Sequence, residues 1–218
     1  PGDYRIRLGM ANPQYLFPIL DRFIDTLKHP NMFRFVHLPV QAGSDKVLRD
    51  MRRGYKAAVF KNAVRKLQAA IPDITIATDI IVGFPTEDEH DFQQTIDLIR
   101  QTRIPVVNIS KFYPRPDTPA AKMKLLPTHI VKERSKKLKY ICQDIAKERN
   151  AQFVGKRLSV IIDEPGKKPG SLIARADNYL QVIVPQEAGV IGQRLSVMPD
   201  HQGVFDVRIK GGKVFSQV

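Results

Sequence analysis

Cysteine is almost absent from this chain. Cys142 stands alone among 218 residues, so neither a disulfide nor a multi-cysteine metal site can form within it. That poverty fits a reducing compartment, and the cytoplasm is the expected location. Long apolar runs are missing too: none approaches the ~18 residues of a membrane span, and no signal peptide opens the chain, so no membrane partner is expected. Acidic side chains are in deficit, with 22 Asp+Glu against 35 Lys+Arg, giving +13 and a pI near 9.9. Such a balance points to a polyanion, most commonly nucleic acid. The surplus is uneven, because residues 101–150 carry twelve basic and four acidic side chains, whereas 151–218 carry nine and six. An initiating methionine is also missing. Pro1 leads directly into the strand-like run Tyr4–Met10, and the expectation is a piece of something longer.

What is present begins with a strand–helix rhythm. Apolar runs at Tyr4–Met10, Phe33–Leu38, Ile74–Ile81 and Val106–Phe112 predict strands. Apolar residues three and four apart predict helices at Tyr15–Lys28, Ala57–Ala70 and Phe92–Thr102, with a short helix at Ser44–Arg52 capped by Ser44 or Asp45. Alternation of this kind implies parallel strands flanked by helices, as a doubly wound sheet or a (β/α) barrel. In either, a site forms where strands exit into loops. The exits here are polar: Gln41-Ala-Gly-Ser-Asp45, Val82-Gly-Phe-Pro-Thr86 and Tyr113-Pro-Arg-Pro-Asp-Thr-Pro119.

Asp79 is a carboxylate inside an otherwise apolar strand, and burying it alone would cost several kcal/mol, so a cation or donor should sit over it. Thr86-Glu-Asp-Glu89 matches a capping box, which assigns Glu87, Asp88 and Glu89 to helix capping and dipole complementation. A long helix, Lys-rich on one side and opened by Pro127-Thr128, is predicted over Leu125–Ala151, with Cys142 a small core side chain on its apolar side. Beyond residue 151 the pattern changes to short β-branched runs at Arg157–Asp163, Ser171–Arg175, Tyr179–Val184, Arg194–Pro199 and Val204–Ile209, separated by turn signals. These predict a small antiparallel β-barrel. Its Lys156, Arg157, Lys167, Lys168, Arg175, Lys210 and Lys213 would meet phosphates, and Tyr179 and Phe205 could stack on bases. The expected division is therefore 1–150 and 151–218, with Arg115, Lys132 and Lys136 adding basic contacts from the first part.

Three stretches carry a resemblance. Gln41 and Arg53 twelve residues apart, followed by Asp79-Ile-Ile-Val-Gly-Phe-Pro85, resemble the S-adenosylmethionine pocket of radical-SAM enzymes. His37-Leu-Pro-Val-Gln-Ala-Gly-Ser-Asp45, with Phe112-Tyr-Pro-Arg-Pro-Asp-Thr-Pro-Ala-Ala-Lys-Met123, is more closely similar to tRNA methylthiotransferases of the archaeal and eukaryotic type. Those enzymes act on N6-threonylcarbamoyladenosine at position 37, beside the anticodon.

The resemblance implies the last strands of a radical-SAM partial barrel followed by a TRAM domain. It implies S-adenosylmethionine held by Gln41, Ser44, Arg53, Asp79, Ile81 and Gly83, with Gln41 and Ser44 near the ribose and Arg53 and Asp79 near the amino-acid end or ribose. It further implies [4Fe-4S] clusters, an electron donor for them, and the anticodon stem-loop of tRNA as partner. The Cys-x-x-x-Cys-x-x-Cys ligands of the pattern are absent, so this chain should hold no cluster and turn over nothing alone. Alternative readings are a non-catalytic RNA-binding module, the isopentenyladenosine branch of the same family, and a plain (β/α) barrel enzyme using Asp79 and His37 as acid and base.

Overall fold

The computed structural model describes residues 4–215. Its first part is a three-stranded parallel sheet, β1 (Phe35–His37), β2 (Thr75–Val82) and β3 (Val106–Lys111), in that order. The strands are joined through α3 (Asp45–Asp50), α4 (Ala57–Ala70) and α5 (Glu89–Thr102). Side chains of a strand alternate between faces. Ile76, Ile80 and Val82 of β2 enter the main core with Phe60 and Leu67 of α4 and Phe92, Ile96 and Ile99 of α5. Thr75, Ala77, Asp79 and Ile81 look the other way, toward what would be the inside of a barrel.

Two local expectations are corrected. Tyr4–Met10 is not a strand ladder but an extended run bridged only at Ile6 to Met32 and Met10 to His37. The Phe33 N–H donates to the Ile6 carbonyl at 3.0 Å and the Ala11 N–H to the His37 carbonyl at 2.9 Å, but between them the Phe35 N–H turns to the Phe33 carbonyl at 2.7 Å and the ladder is interrupted. The single helix expected over Tyr15–Lys28 is broken into α1 (Pro13–Leu16), a 3₁₀ turn (Phe17–Ile19) and α2 (Leu20–Leu27). Pro18 has no N–H to donate and its ring crowds the preceding turn.

Helix α6 (Thr128–Ala151) opens after Pro127 and runs along the sheet, burying Leu138, Cys142, Ile145 and Ala146. Burial pushes the Cys142 thiol up to about 12, which suits a core side chain and not a nucleophile.

Seven further strands form a curled sheet with its own core, including Val160, Ile162, Val182, Val184, Leu195, Val197 and Val207. They are β4 (Leu158–Pro165), β5 (Ser171–Ala176), β6 (Gln181–Pro185), β7 (Arg194–Met198), β8 (His201–Gln202), β9 (Asp206–Arg208) and β10 (Lys213–Phe215), in the order β10-β7-β4-β5-β6-β9-β8. Every ladder is antiparallel except β6–β9, which is parallel.

The two sheets meet at the β5–β6 turn. Asp177 pairs with Arg5 at 3.1 Å, the Thr75 hydroxyl donates to the Asn178 carbonyl at 2.5 Å, and Asn150 of α6 donates to the carbonyls of Gly203 and Val204 at 3.1 Å. Tyr179, held at φ +63°, packs edge-on against Phe33 and beside Phe35. Tyr179 therefore serves the joint between the sheets, and the base-stacking role suggested for it is replaced by packing.

Candidate cofactor and nucleic-acid site

The loop leaving β1 folds back onto β2. Gln41 donates its N–H to the Asp79 carbonyl at 2.8 Å and accepts from the Ile81 N–H at 2.9 Å, so it extends β2's pairing beyond the end of β1. It does so at φ +74°, a conformation that non-glycine residues adopt at a cost of roughly 1–3 kcal/mol. Such strain is stored where the surrounding structure fixes a functional loop. Gly43 is needed for a different reason: a Cβ there would lie 2.5 Å from the Gln94 carbonyl of α5.

Ser44 caps α3, accepting from the Val47 N–H, and donates its own hydroxyl to Asp91 at 2.6 Å. Lys46 bridges Asp91 and Asp88 at 2.7 and 3.0 Å. Burial alone would raise the Asp91 carboxyl, but Lys46, Ser44 and the Asp88 N–H outweigh it and hold it below its ordinary value. The Ser44 hydroxyl is thus committed to the α3–α5 junction.

Arg53 follows α3, its N–H bonded to the Leu48 carbonyl and its side chain exposed. The neighbouring Tyr55 donates its hydroxyl to the Pro39 carbonyl at 3.0 Å, and burial pushes its phenol up while Arg53 opposes the shift.

Asp79 has the donors its position demanded. The Nε2 of His37 and the Nδ2 of Asn108 both lie 2.9 Å from its Oδ1, one from each neighbouring strand. The expected cation or donor is thus supplied by two neighbouring strands, as His37 and Asn108. Oδ2 takes part in no hydrogen bond within the described structure, so half of the carboxylate remains free to accept from a ligand.

Ile81 lies two residues further on, half-buried on the same face. Gly83 follows at φ +82°, and a Cβ there would strike Val131 of α6 at 2.6 Å. Its N–H donates to Glu87 at 3.1 Å, and both the positive φ and the close approach of α6 favour glycine at this point. The capping box is corrected by two residues: Asp88 is the N-cap of α5 and exchanges bonds with Asp91, while Thr86 donates to Asp50 at 2.6 Å. Glu87 is no cap. It is buried and paired with Arg134 of α6 at 2.7 Å, so the sequence's basic helix hides one cation in the core.

The nucleic-acid candidates divide. Arg115, Lys132, Lys136, Lys156, Lys167, Lys168, Lys210 and Lys213 are all exposed. Arg157 is exposed too but lies over the Phe215 ring at 4.1 Å and donates to Ser196. Arg175 is tied down, bonded to Asp163 and Glu164 at 3.2 Å and stacked over Tyr179. Phe205, at 75% exposure, stays open.

Between the inner sheet face, α6 and the curled sheet lies a cleft of about 660 Å³, whose walls include His37, Asn108, Arg149 and Phe205. That is within the range of pockets for small ligands. Asn108 and Arg149 were not singled out from the sequence. Alternation within Val106–Phe112 would have flagged Asn108; nothing separates Arg149 from the other cations of its helix. Among the described residues no three His, Cys, Asp or Glu side chains could hold a metal, and no helix is long and apolar enough to cross a membrane.

Residues 3–99 match the Radical SAM superfamily and residues 151–198 the TRAM domain. A probable threonylcarbamoyladenosine tRNA methylthiotransferase of Pyrococcus abyssi is 44% identical over 84% of this chain and 43% of its own length. The human threonylcarbamoyladenosine tRNA methylthiotransferase is 39% identical over 90% of this chain and 34% of its own. The chain thus spans less than half of the curated relatives it matches. Among solved structures, coproporphyrinogen III oxidase from Escherichia coli, a radical-SAM enzyme, superposes with TM-score 0.52 at 15% identity, covering 66% of this chain and 33% of that one, which shows the fold alone.

Proposed function

Because the chain belongs to the radical-SAM family of tRNA methylthiotransferases, with a TRAM domain following the barrel strands, we propose that it is part of an enzyme that methylthiolates C2 of N6-threonylcarbamoyladenosine at position 37 of tRNA. The observation that supports this most is the order of the two domains within a stretch that aligns with relatives of that one activity.

S-adenosylmethionine fits the residues present. The free Oδ2 of Asp79 suits an ammonium or ribose hydroxyl, Gln41 lies at the same strand end with its backbone fixed against β2, and the exposed guanidinium of Arg53 suits a carboxylate. Bound there, the cofactor would supply the radical and methyl chemistry of the reaction. This chain's contribution is to bind and orient: His37 and Asn108 fix the Asp79 carboxylate so that one oxygen faces the ligand. An iron–sulfur cluster does not fit the residues present, since the one cysteine is buried in the core and, among the described residues, no group of three His, Cys, Asp or Glu side chains could hold a metal. No step is therefore assigned to a cluster on these residues.

The anticodon stem-loop is the proposed RNA partner. Exposed lysines of α6 and the curled sheet would meet phosphates, and a loop nucleotide needs little unstacking to reach the inner face. Mass spectrometry of tRNA nucleosides from cells lacking the intact protein tests the reading. Loss of the methylthio mark on threonylcarbamoyladenosine is expected; its persistence, or loss on isopentenyladenosine instead, would refute it. In the intact enzyme Arg53→Ala should weaken S-adenosylmethionine binding, and unchanged binding would remove Arg53 from the pocket.

A further inference from the structure

Among the described residues Arg149 makes no salt bridge. Near the end of α6 its guanidinium lines the cleft, donating from Nη2 to the Thr75 hydroxyl at 2.5 Å and lying over the Phe153 ring at 5.1 Å. The acid that acts on it through space, Asp73, is already held by both oxygens on Arg34, at 2.8 and 2.9 Å. Burial holds its pKa down to about 10. Among the described residues the one buried side-chain nitrogen or oxygen without a partner is Nε of Arg134, so the unbonded N–H groups of Arg149, a residue lining the cleft, remain accessible.

The surroundings say what could lie there. Thr75 and Asp79 share a face of β2, four residues and about 13 Å apart, and the small Ala77 lies between them. His37 and Asn108 flank the Asp79 end. The cleft therefore sets the Arg149 guanidinium among apolar and aromatic walls that include Phe35, Val107, Tyr179 and Phe205, which suits a flat ring carrying an anionic arm.

Resting on the function proposed above, we propose that Arg149 is a specificity residue that binds the carboxylate of the N6-threonylcarbamoyl group while the adenine occupies the cleft. The chemistry is discriminating. The threonylcarbamoyl arm ends in a carboxylate and a hydroxyl, whereas unmodified adenine and the isopentenyl arm carry neither. An Arg fork matches a carboxylate in plane and in donor spacing, and a site built around an ionic partner rejects analogues lacking it more strongly than an apolar pocket does.

The test is fluorescence anisotropy of this chain with three anticodon stem-loop RNAs carrying threonylcarbamoyladenosine, isopentenyladenosine or adenosine at the target position. The threonylcarbamoyl RNA is expected to bind roughly ten- to a hundredfold more tightly, the range of a charge-assisted hydrogen bond. Arg149→Gln should abolish that ratio and Arg149→Lys should retain part of it, with circular dichroism reporting that each variant is folded. A ratio that survives in Arg149→Gln overturns the assignment. So does equal weakening of all three RNAs, which would make Arg149 a phosphate contact. Tight binding without preference in the unaltered chain defeats the inference while leaving the tRNA reading intact; no binding of any RNA defeats both.

Discussion

Replacing Arg134 by methionine should destabilise the protein more than any other single loss of charge on α6. Its guanidinium is buried, donating to the Glu87 carboxylate at 2.7 Å, to the Glu87 carbonyl at 3.1 Å and to Glu89 at 3.2 Å, and lying 5.4 Å from the Phe92 ring. The Glu89 contact adds little because that carboxylate is 71% exposed. Glu87 is another matter, with a side chain only 4% exposed. Methionine preserves most of the stem's volume but leaves Glu87 charged and unpaired, and breaking one side of a buried pair costs about 3–5 kcal/mol. For a chain of this size that lowers Tm by on the order of 10 °C.

The pH dependence has a definite sign. Burial raises the Glu87 carboxyl despite the Gly83 N–H and Arg134, so the folded state holds its proton over a window in which the unfolded chain has lost it. Stability from this group therefore falls as pH rises through that window. Without Arg134 the window widens upward, and the deficit of the variant should be smallest in mild acid and grow toward neutrality. Thermal and urea unfolding of wild type, Arg134→Met, Glu87→Gln and the double variant measure the coupling. The double variant should recover much of the loss. A single variant within about 1 kcal/mol of wild type, or a double variant no better than the single, would refute the reasoning.

Asp88 gives the opposite sign. The Asp91 N–H and Lys46 hold its carboxyl at about 2, so its contribution is present above the ordinary carboxylate range and fades as pH falls from about 4 toward 2. Asp88→Asn should therefore flatten the acid limb of a stability–pH curve, and an unchanged limb would count against the cap. Gly83→Ala combines an unfavourable φ of +82° with a collision against Val131, and should cost about 2 kcal/mol by urea unfolding; a neutral result would show that α6 shifts easily. RNA affinity should fall steeply with salt if the exposed lysines of α6 and the curled sheet meet phosphates, and a flat response between low and moderate salt would remove them from the interface.

The parallel strands, the long helix and the second set of short strands were legible because each rests on local periodicity: alternation in Thr75–Val82, apolar spacing in α4 and α6, turn residues between β4 and β7. The polar strand exits were legible for the same reason. Register was not. That Asp88 and Asp91, rather than Thr86 and Glu89, form the capping box depends on where α5 is placed against α3 and α6, which locks Thr86 to Asp50 and Glu87 to Arg134.

By itself, then, the sequence determined which segments pair or coil, which strand ends carry polar groups, and that the surface is basic. Only the tertiary structure decided which charges are spent. Arg134, Arg175 and Ser44 are consumed by buried or local partners, whereas one oxygen of Asp79 is left without a hydrogen-bond partner and the guanidinium of Arg149 lines the cleft. The physical reason is that helix and strand periodicity is written in near neighbours, while the partner of a charge lies tens of residues away and is chosen by packing.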